Sequence, residues 1–493
     1  MANGNKNLQM RSYKGLLLLG SSSAIQGVAN LLFLAVLARY IKPLEYGIAS
    51  AAILIVLLAD SLTRLGLGAA LVQRAQISDL HIRVAFTANV FISALLTIAV
   101  YALAPYMEVW FRITGLAPVL RALSICFFVR GLSVVSESLA QRDMRFRVIS
   151  LAQAVSYFSG FGIIGIVLAV NGFGLWSLVW AQIAQACIRT LMIVKKIGHP
   201  KRPLFNWPIL RELLPFGLDV TLVELLSYIA NQGDKFIVGR ALGAQALGSY
   251  GRAYQLMAAP AVAFALIADR VLFPAMAQVQ TDLPRLRRGF LSAISAVSIL
   301  TLPVSVLVVV LAPEIIRVWL GPGWEDAVAP LRWLAIGTFF RVGYKISGTV
   351  ARAQGATRRL VVYQAIFSVA VVVLSLALSR FGTSGVAAGV SAALALEYAM
   401  LINLGLSLTK INVADYLAAN RAGAVTACTV GAASAISTSV TGAASLSALG
   451  TLSVGVASGI LAGALTLALT WKHLSIPESY EAANNVLKRF SRN

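Results

Sequence analysis

Long apolar stretches separated by short polar segments run along almost the whole chain. A helix needs about 20 mostly apolar residues to cross the hydrocarbon core of a bilayer. Fourteen stretches meet this requirement, and the pattern therefore predicts an all-α polytopic membrane protein with about 14 transmembrane helices. The predicted spans are 14–38, 46–72, 84–106, 116–139, 148–170, 174–194, 213–242, 249–275, 289–312, 328–350, 360–380, 385–408, 422–441 and 449–471.

Composition supports the membrane assignment. The 493 residues are 58% hydrophobic and 12% charged, and the mean hydropathy is +0.81, values that exclude an ordinary soluble domain. The first span is longer than the apolar core of a signal peptide, so we expect it to stay in the membrane.

The chain shows no sign of catalytic or metal chemistry. Its Cys residues lie far apart in different predicted spans, and its three His residues are isolated in polar segments. The glycines of G-F-G-I-I-G at 160–165 lie inside a span, not after a strand, so we interpret them as a helix-packing patch instead of a dinucleotide site. We expect no catalytic residues, no metal and no cofactor, and we do not expect an enzyme.

The basic residues, which give the chain a formal net charge of +22, are distributed in a way that indicates the membrane topology. Lys and Arg are concentrated in the segments that are cytoplasmic if the N-terminus is cytoplasmic, which is the positive-inside pattern. Both termini are then predicted to be cytoplasmic. We assign the basic residues to orientation and contact with anionic membrane lipid, and we do not expect nucleic acid as a partner.

An internal repeat divides the chain. The segment LAPYMEVWFRITGLAPVLRAL from Leu103 resembles LAPEIIRVWLGPGWEDAVAPLRWL from Leu311, and a spacing of 211 pairs Arg130 with Arg341. Closer to the start of each half, a spacing of 201 pairs residues such as Gly47 with Gly248.

A repeat of six spans, an even number, places both copies in the same orientation across the membrane, as in several transporter folds. We therefore predict two parallel six-helix lobes around a central cavity, with two additional C-terminal helices. The predicted domains are 1–206, 207–410 and 411–493. In the last of these, glycines at 455, 459 and 463 predict close approach of another helix, with contact to a lipid tail as the alternative.

Charged residues within spans are the candidate functional residues, because lipid penalises them and they usually face protein or a wet cavity. The candidate substrate-binding cations are Arg64, Arg130, Lys235, Arg270, Arg341 and Lys345. The candidate ion-coupling acids, which are equally consistent with salt-bridge partners, are Asp60, Glu224, Asp234 and Asp269.

The cations differ in their acidic neighbours along the chain. Arg130, Arg341 and Lys345 have no acid within one helical turn, and Arg341 and Lys345 share a helix face at a spacing of four. These three are expected to leave an uncompensated positive potential, which favours an anion such as a phosphate or pyrophosphate. The alternative, in which acids neutralise every cation, would make the charges structural.

Two segments resemble the polysaccharide transporter family of the multidrug, oligosaccharidyl-lipid and polysaccharide exporter superfamily. They are DKFIVGRALGAQALGSYGRAYQL from Asp234 and the later run WLGPGWEDAVAPLRWLA. The resemblance implies a flippase of the bacterial inner membrane that moves undecaprenyl-pyrophosphate-linked oligosaccharide units by alternating access. It also implies polysaccharide polymerase or export machinery as partners.

Three alternatives remain open from the sequence. The first is a cation-coupled multidrug exporter, whose site should be lined with acids. The second is a lipid II flippase of the same superfamily. The third is a membrane polysaccharide polymerase or ligase, which usually carries a larger external loop than any predicted in this chain.

Overall fold

The structure of this protein is a computed structural model that describes residues 27, 29–30, 32–33, 35–64, 66–200, 202–267 and 272–474. Within these ranges, side chains are described except at 63, 64, 219, 223, 259–267, 273–275 and 470–474. Every regular element in the described part of the chain is helical, as the hydropathy pattern predicts.

The chain forms two compact units, Met1–Gly248 (unit 1) and Ser249–Asn493 (unit 2). A π-helical turn, Phe158–Gly165, joins two of the helices in unit 1. The helices of unit 1 are α1 (Pro43–Arg64), α2 (Leu67–Gln73), α3 (Asp79–Phe111), α4 (Leu116–Arg142), α5 (Phe146–Tyr157), α6 (Ile166–Val170), α7 (Leu175–Lys196) and most of α8 (Trp207–Ile267).

Unit 2 begins within α8 and contains the remaining helices. Short 3-10 turns, Glu325–Ala327 and Ser379–Phe381, precede two of them. The helices are α9 (Phe273–Gln278), α10 (Leu283–Val310), α11 (Ala312–Trp319), α12 (Val328–Ala353), α13 (Thr357–Leu378), α14 (Gly382–Thr409), α15 (Val413–Ala443) and α16 (Ala448–Leu474).

Most predicted spans lie on these helices, but the span 46–72 is divided between α1 and α2, and the span 148–170 between α5, the π-helical turn and α6. By length and composition, ten helical segments in the described residues are able to cross a membrane. Two of the ten are 52 and 53 residues long, and each is long enough for two crossings. The predicted span 14–38 lies largely outside the described residues.

Helix α12 differs from the other predicted spans. The structure forms it where the span 328–350 is predicted, but it is not among the ten apolar segments. The reason is its content of Arg and Lys, which include Arg332, Arg341 and Lys345. A helix of this length with several internal cations is suited to a polar environment inside a membrane protein.

Helix α8 bends sharply in the region of the DKFIVGRALG segment. Gly243 leaves the helical conformation with φ 84°, a left-handed value that glycine adopts without steric cost. Beyond the bend, α8 touches α1 backbone to backbone. A Cβ on Gly47 would lie 1.7 Å from the carbonyl oxygen of Ala244, and one on Gly248 would lie 2.0 Å from that of Pro43. The two glycines paired by the repeat therefore make reciprocal contacts.

Two further groups of glycines pack helices together, as predicted. A Cβ on Gly160 would lie 2.7 Å from the carbonyl oxygen of Ala181 on α7, so the G-F-G-I-I-G segment is a packing patch. In unit 2, a Cβ on Gly459 would lie 2.6 Å from Ser434 Oγ of α15. Ser434 Oγ also donates to the carbonyl oxygen of Gly455 (3.0 Å), which ties α16 to α15.

Candidate functional site

Arg130 lies near the middle of α4 and forms an ion pair with α1. Its Nη1 lies 3.5 Å from Asp60 Oδ2, and the side chains are 20% and 14% exposed. The following residue, Gly131, fixes the register of α4 against α3, because Asn89 Nδ2 of α3 donates to the carbonyl oxygen of Gly131 (3.0 Å). Arg130 has no acid within one turn of its own helix, but the expectation that its charge is uncompensated is wrong, because Asp60 of another helix pairs with it.

A second ion pair in unit 1 was not predicted. Arg189 Nη2 of α7 donates to Glu137 Oε1 of α4 at 2.7 Å, and the two side chains are 21% and 12% exposed. Both residues lie inside predicted spans, so a full survey of the charges within spans would have found them. The pairing itself depends on the packing of α7 against α4.

In unit 2, an aromatic side chain of α8 orients Arg341 on α12. Arg341 Nη1 donates to Tyr254 Oη (2.7 Å), and its guanidinium carbon lies 4.9 Å from the centroid of the Tyr254 ring. One turn later on α12, Lys345 Nζ lies 5.9 Å from the centroid of the Tyr344 ring. Hydrogen bonding and stacking together restrict the orientation of the guanidinium.

Helix α14 brings an acid to the same cations. Glu397 is 2% exposed, and the charges of Arg341 and Lys345 act on its carboxyl group. Close packing of α12 on α14 explains this proximity, since a Cβ on Gly343 would lie 2.6 Å from the Tyr398 ring. Sequence analysis overlooked Glu397, although it is an acid inside the predicted span 385–408. The uncompensated charge of Arg341 and Lys345 stays a prediction.

The charged residues of α8 before its bend have different surroundings. Asp234 is 2% exposed, and Lys235 Nζ donates to Gln232 Oε1 at 2.6 Å. Arg240, nearer the bend, lies over Trp110 of α3 with its guanidinium carbon 5.8 Å from the ring. Glu224 is exposed on α8.

Three predicted site residues cannot be placed. The side chain of Arg64 and the residues Asp269 and Arg270 lie outside the described residues. Among the others, the structure brings Asp60 to Arg130, and it places Glu397 within electrostatic range of Arg341 and Lys345. Two separate charged groups therefore result, the Asp60–Arg130 pair in unit 1 and the Arg341–Lys345–Glu397 cluster in unit 2.

A surface pocket near the start of α8 contains a third charged group. Arg74 Nη2 forms an ion pair with Glu212, and His81 Nε2 lies 3.8 Å from the same carboxylate. These residues line the pocket together with the segment between α2 and α3. The pocket lies at an end of unit 1 that the topology predicts to be cytoplasmic.

Comparison with known proteins relates this arrangement to a family. A family model described as polysaccharide biosynthesis protein matches residues 36–329, more than half of the chain. An uncharacterized membrane protein in the cps region of Klebsiella pneumoniae is 24% identical over 71% of this chain and 72% of its own length. The lipopolysaccharide biosynthesis protein WzxC of Escherichia coli K12 is 26% identical over 62% of this chain. That match spans 63% of WzxC, slightly less than two thirds of its length.

The fold has a counterpart among solved structures. The lipid II flippase MurJ, in an inward closed conformation, matches with a TM-score of 0.75 and 16% identity, over 93% of this chain and 99% of that chain. At this identity the likeness concerns the fold. The chain belongs to the polysaccharide biosynthesis protein family and is a polytopic membrane protein with the fold of the lipid II flippase MurJ.

Proposed function

We propose that this protein is a flippase that carries undecaprenyl-pyrophosphate-linked oligosaccharide units from the cytoplasmic to the outer leaflet of the bacterial inner membrane. The observation that carries the proposal is the pair of cations on α12, Arg341 and Lys345, in a membrane protein of a polysaccharide biosynthesis family. The product would feed the assembly of a surface polysaccharide or exopolysaccharide.

The substrate's chemistry fits such a site. A pyrophosphate group offers several anionic oxygens, and an Arg guanidinium binds phosphate oxygens through two parallel hydrogen bonds. Arg341, held by Tyr254 Oη, is already oriented for such contacts. Polar sugars and phosphates pay a large desolvation penalty in hydrocarbon, so a polar path through the protein is required. The polyprenyl chain can remain in lipid.

Transport would occur by alternating access. In this proposal the lobes 1–206 and 207–410 rock against each other, with the substrate bound near the depth of the bilayer midplane. The segment 411–493 packs at the periphery, and both termini are cytoplasmic. A polymerase or export machinery would take up the flipped substrate.

The predicted cations take different parts in this proposal. We assign Arg341 and Lys345 to the pyrophosphate, and Lys235 and Arg130 to the polar path. Arg64 and Arg270 keep their predicted roles as cations of the same path. Among the acids, Asp60 is the ion-pair partner of Arg130, while Asp234, Glu224 and Asp269 remain candidates for ion coupling.

The acids that lie near the cations in the structure change the argument against a multidrug exporter. Asp60 forms an ion pair with Arg130, and Glu397 lies within electrostatic range of Arg341. The absence of nearby acids therefore no longer counts against a multidrug exporter. Family membership is now the main reason to favour the polysaccharide substrate over a drug.

The experiment that tests the proposal is a leaflet-transfer assay in vesicles containing the purified full-length protein. The substrate is an undecaprenyl-pyrophosphate oligosaccharide, and protein-free vesicles and a neutral polyprenyl glycoside of equal chain length are the controls. We expect protein-dependent transfer of the pyrophosphate lipid and slower transfer of the neutral lipid. Transfer of lipophilic cations without transfer of the pyrophosphate lipid would contradict the proposal and favour the exporter.

A further inference from the structure

A shared dipeptide aligns α7 with α14 across the two halves of the chain. Phe173-Gly174 lies directly before α7 and Phe381-Gly382 lies at the start of α14, at a spacing of 208. Both glycines have positive φ, 50° and 72° respectively. At the same spacing of 208, Arg189 of α7 corresponds to Glu397 of α14. The two halves thus carry opposite charges at equivalent positions.

The partner helices are equivalent as well, because the spacing of 211 relates α4 to α12. In unit 1, the acid lies on α4 and the cation on α7, and Arg189 and Glu137 are joined by a hydrogen bond of 2.7 Å. In unit 2, the acid lies on α14 and the cations on α12. The acid of the charged group thus lies on α4 in unit 1 and on α14 in unit 2, while Arg130 and Arg341 keep a cation at equivalent positions of α4 and α12.

The arrangement in unit 2 leaves part of the acid unsatisfied. Glu397 Oε2 is buried and has no hydrogen-bond partner among the described residues. A buried polar atom without a partner costs about 1–3 kcal/mol, and more when it is charged. Native proteins seldom keep such an atom without a functional or structural reason. The carboxyl group nevertheless lies within the field of two cations.

We propose that Glu397 is an internal counter-ion that competes with the substrate's phosphate groups for Arg341 and Lys345. This inference rests on the proposed function, because it concerns the same cations. In the empty protein, the carboxylate balances the charge of α12. When an anion binds to Arg341 and Lys345, it takes over this role, and the Glu397 carboxylate becomes a like charge that opposes binding.

The competition has a direct consequence for pH dependence. Protonation removes the negative charge of Glu397, so the affinity for an anion should increase as the pH falls. The other described titratable groups on or near the helices packed around Glu397 are Arg, Lys and Tyr side chains. These groups are Arg341, Tyr344 and Lys345 on α12, Tyr254 on α8, Tyr363 on α13, Tyr398 on α14 and Tyr416 on α15.

The test measures binding to the purified full-length protein at pH 8 and pH 6.5. The probes are farnesyl pyrophosphate, a short polyprenyl pyrophosphate, and inorganic pyrophosphate, which has no lipid. Glu397→Gln and Glu397→Ala remove the charge with different changes in size, while Glu397→Asp retains it. Asp415→Asn is the matched control, because it removes an exposed acid that pairs with Arg287 at 3.8 Å in the same unit.

We expect Glu397→Gln and Glu397→Ala to bind both probes about tenfold more tightly than the wild type at pH 8, a typical size for coupling between interacting sites. Lowering the pH also protonates the probe, and Glu397→Gln measures the change in affinity that this causes. We expect a larger gain in affinity over the same pH change for the wild type, Glu397→Asp and Asp415→Asn. A similar effect on inorganic pyrophosphate is expected, because the prenyl chain carries no charge.

Three results would overturn the inference. Weaker or unchanged binding by both uncharged variants would show that Glu397 has a structural role. An effect confined to farnesyl pyrophosphate would exclude competition for the phosphate. If the wild type bound neither probe and failed in the leaflet-transfer assay, the proposed function would fail too. Normal transfer by the wild type, together with unaltered binding by the uncharged variants, would refute only the role of Glu397.

Discussion

Replacing Arg189 with Met tests whether the buried pair in unit 1 stabilises the fold. The substitution keeps an unbranched side chain but leaves Glu137, which is 12% exposed, without its partner at 2.7 Å. Removing one member of a buried ion pair typically costs about 3–5 kcal/mol, because the remaining charge stays desolvated. Since Arg189 is 21% exposed, we expect the lower end, about 3 kcal/mol.

The assay is a denaturant titration of the purified protein in mixed micelles, followed by tryptophan fluorescence. The variant Arg189→Met should unfold at a lower denaturant concentration than the wild type. The double variant Arg189→Met with Glu137→Met should recover most of the loss, because an apolar pair of similar volume replaces a buried ion pair at little cost. If Arg189→Met unfolded like the wild type, or if the double variant were no more stable than the single one, the reasoning would be refuted.

Two further predictions concern helix contact and site geometry. Gly47→Val should strongly reduce the yield of folded protein in size-exclusion chromatography, because its Cβ would lie 1.7 Å from the carbonyl oxygen of Ala244. Gly348→Val is the control, since a Cβ there has open space within 4 Å, and equal yields of the two variants would contradict the close contact. Tyr254→Phe removes the hydroxyl group that accepts from Arg341 but keeps the ring, so we expect affinity for farnesyl pyrophosphate to fall by several-fold, about 0.5–1.5 kcal/mol. Unchanged affinity would show that Tyr254 does not position the guanidinium.

The helices were predictable because lipid leaves the backbone few options. Spanning segments must satisfy all their backbone polar groups internally, so a long apolar stretch predicts a helix directly. The span predicted at 116–139 is α4, Leu116–Arg142, and the span predicted at 449–471 is α16, Ala448–Leu474. The left-handed bend at Gly243 was not predicted, because a glycine in an apolar helix is equally compatible with straight packing.

The site was predictable only in part. Spacing along the chain identifies residues that share a face of one helix, such as Arg341 and Lys345, which are four positions apart. It cannot detect that Asp60 of α1 lies beside Arg130 of α4, because that contact depends on how the helices pack. Glu397 was visible as an acid within a span, but its proximity to the cations of α12 depends on the register of α14 on α12.

The central claim is that the cations of α12 carry the substrate across the membrane. The most direct test is leaflet transfer of undecaprenyl-pyrophosphate oligosaccharide by Arg341→Gln and Lys345→Gln. The control is Arg285→Gln, which removes a cation whose side chain is 68% exposed and pairs with Asp282. We predict that both α12 variants lose at least about tenfold in transfer rate, equivalent to roughly 1.4 kcal/mol, while Arg285→Gln transfers like the wild type. Wild-type transfer rates in both correctly inserted α12 variants would contradict the claim.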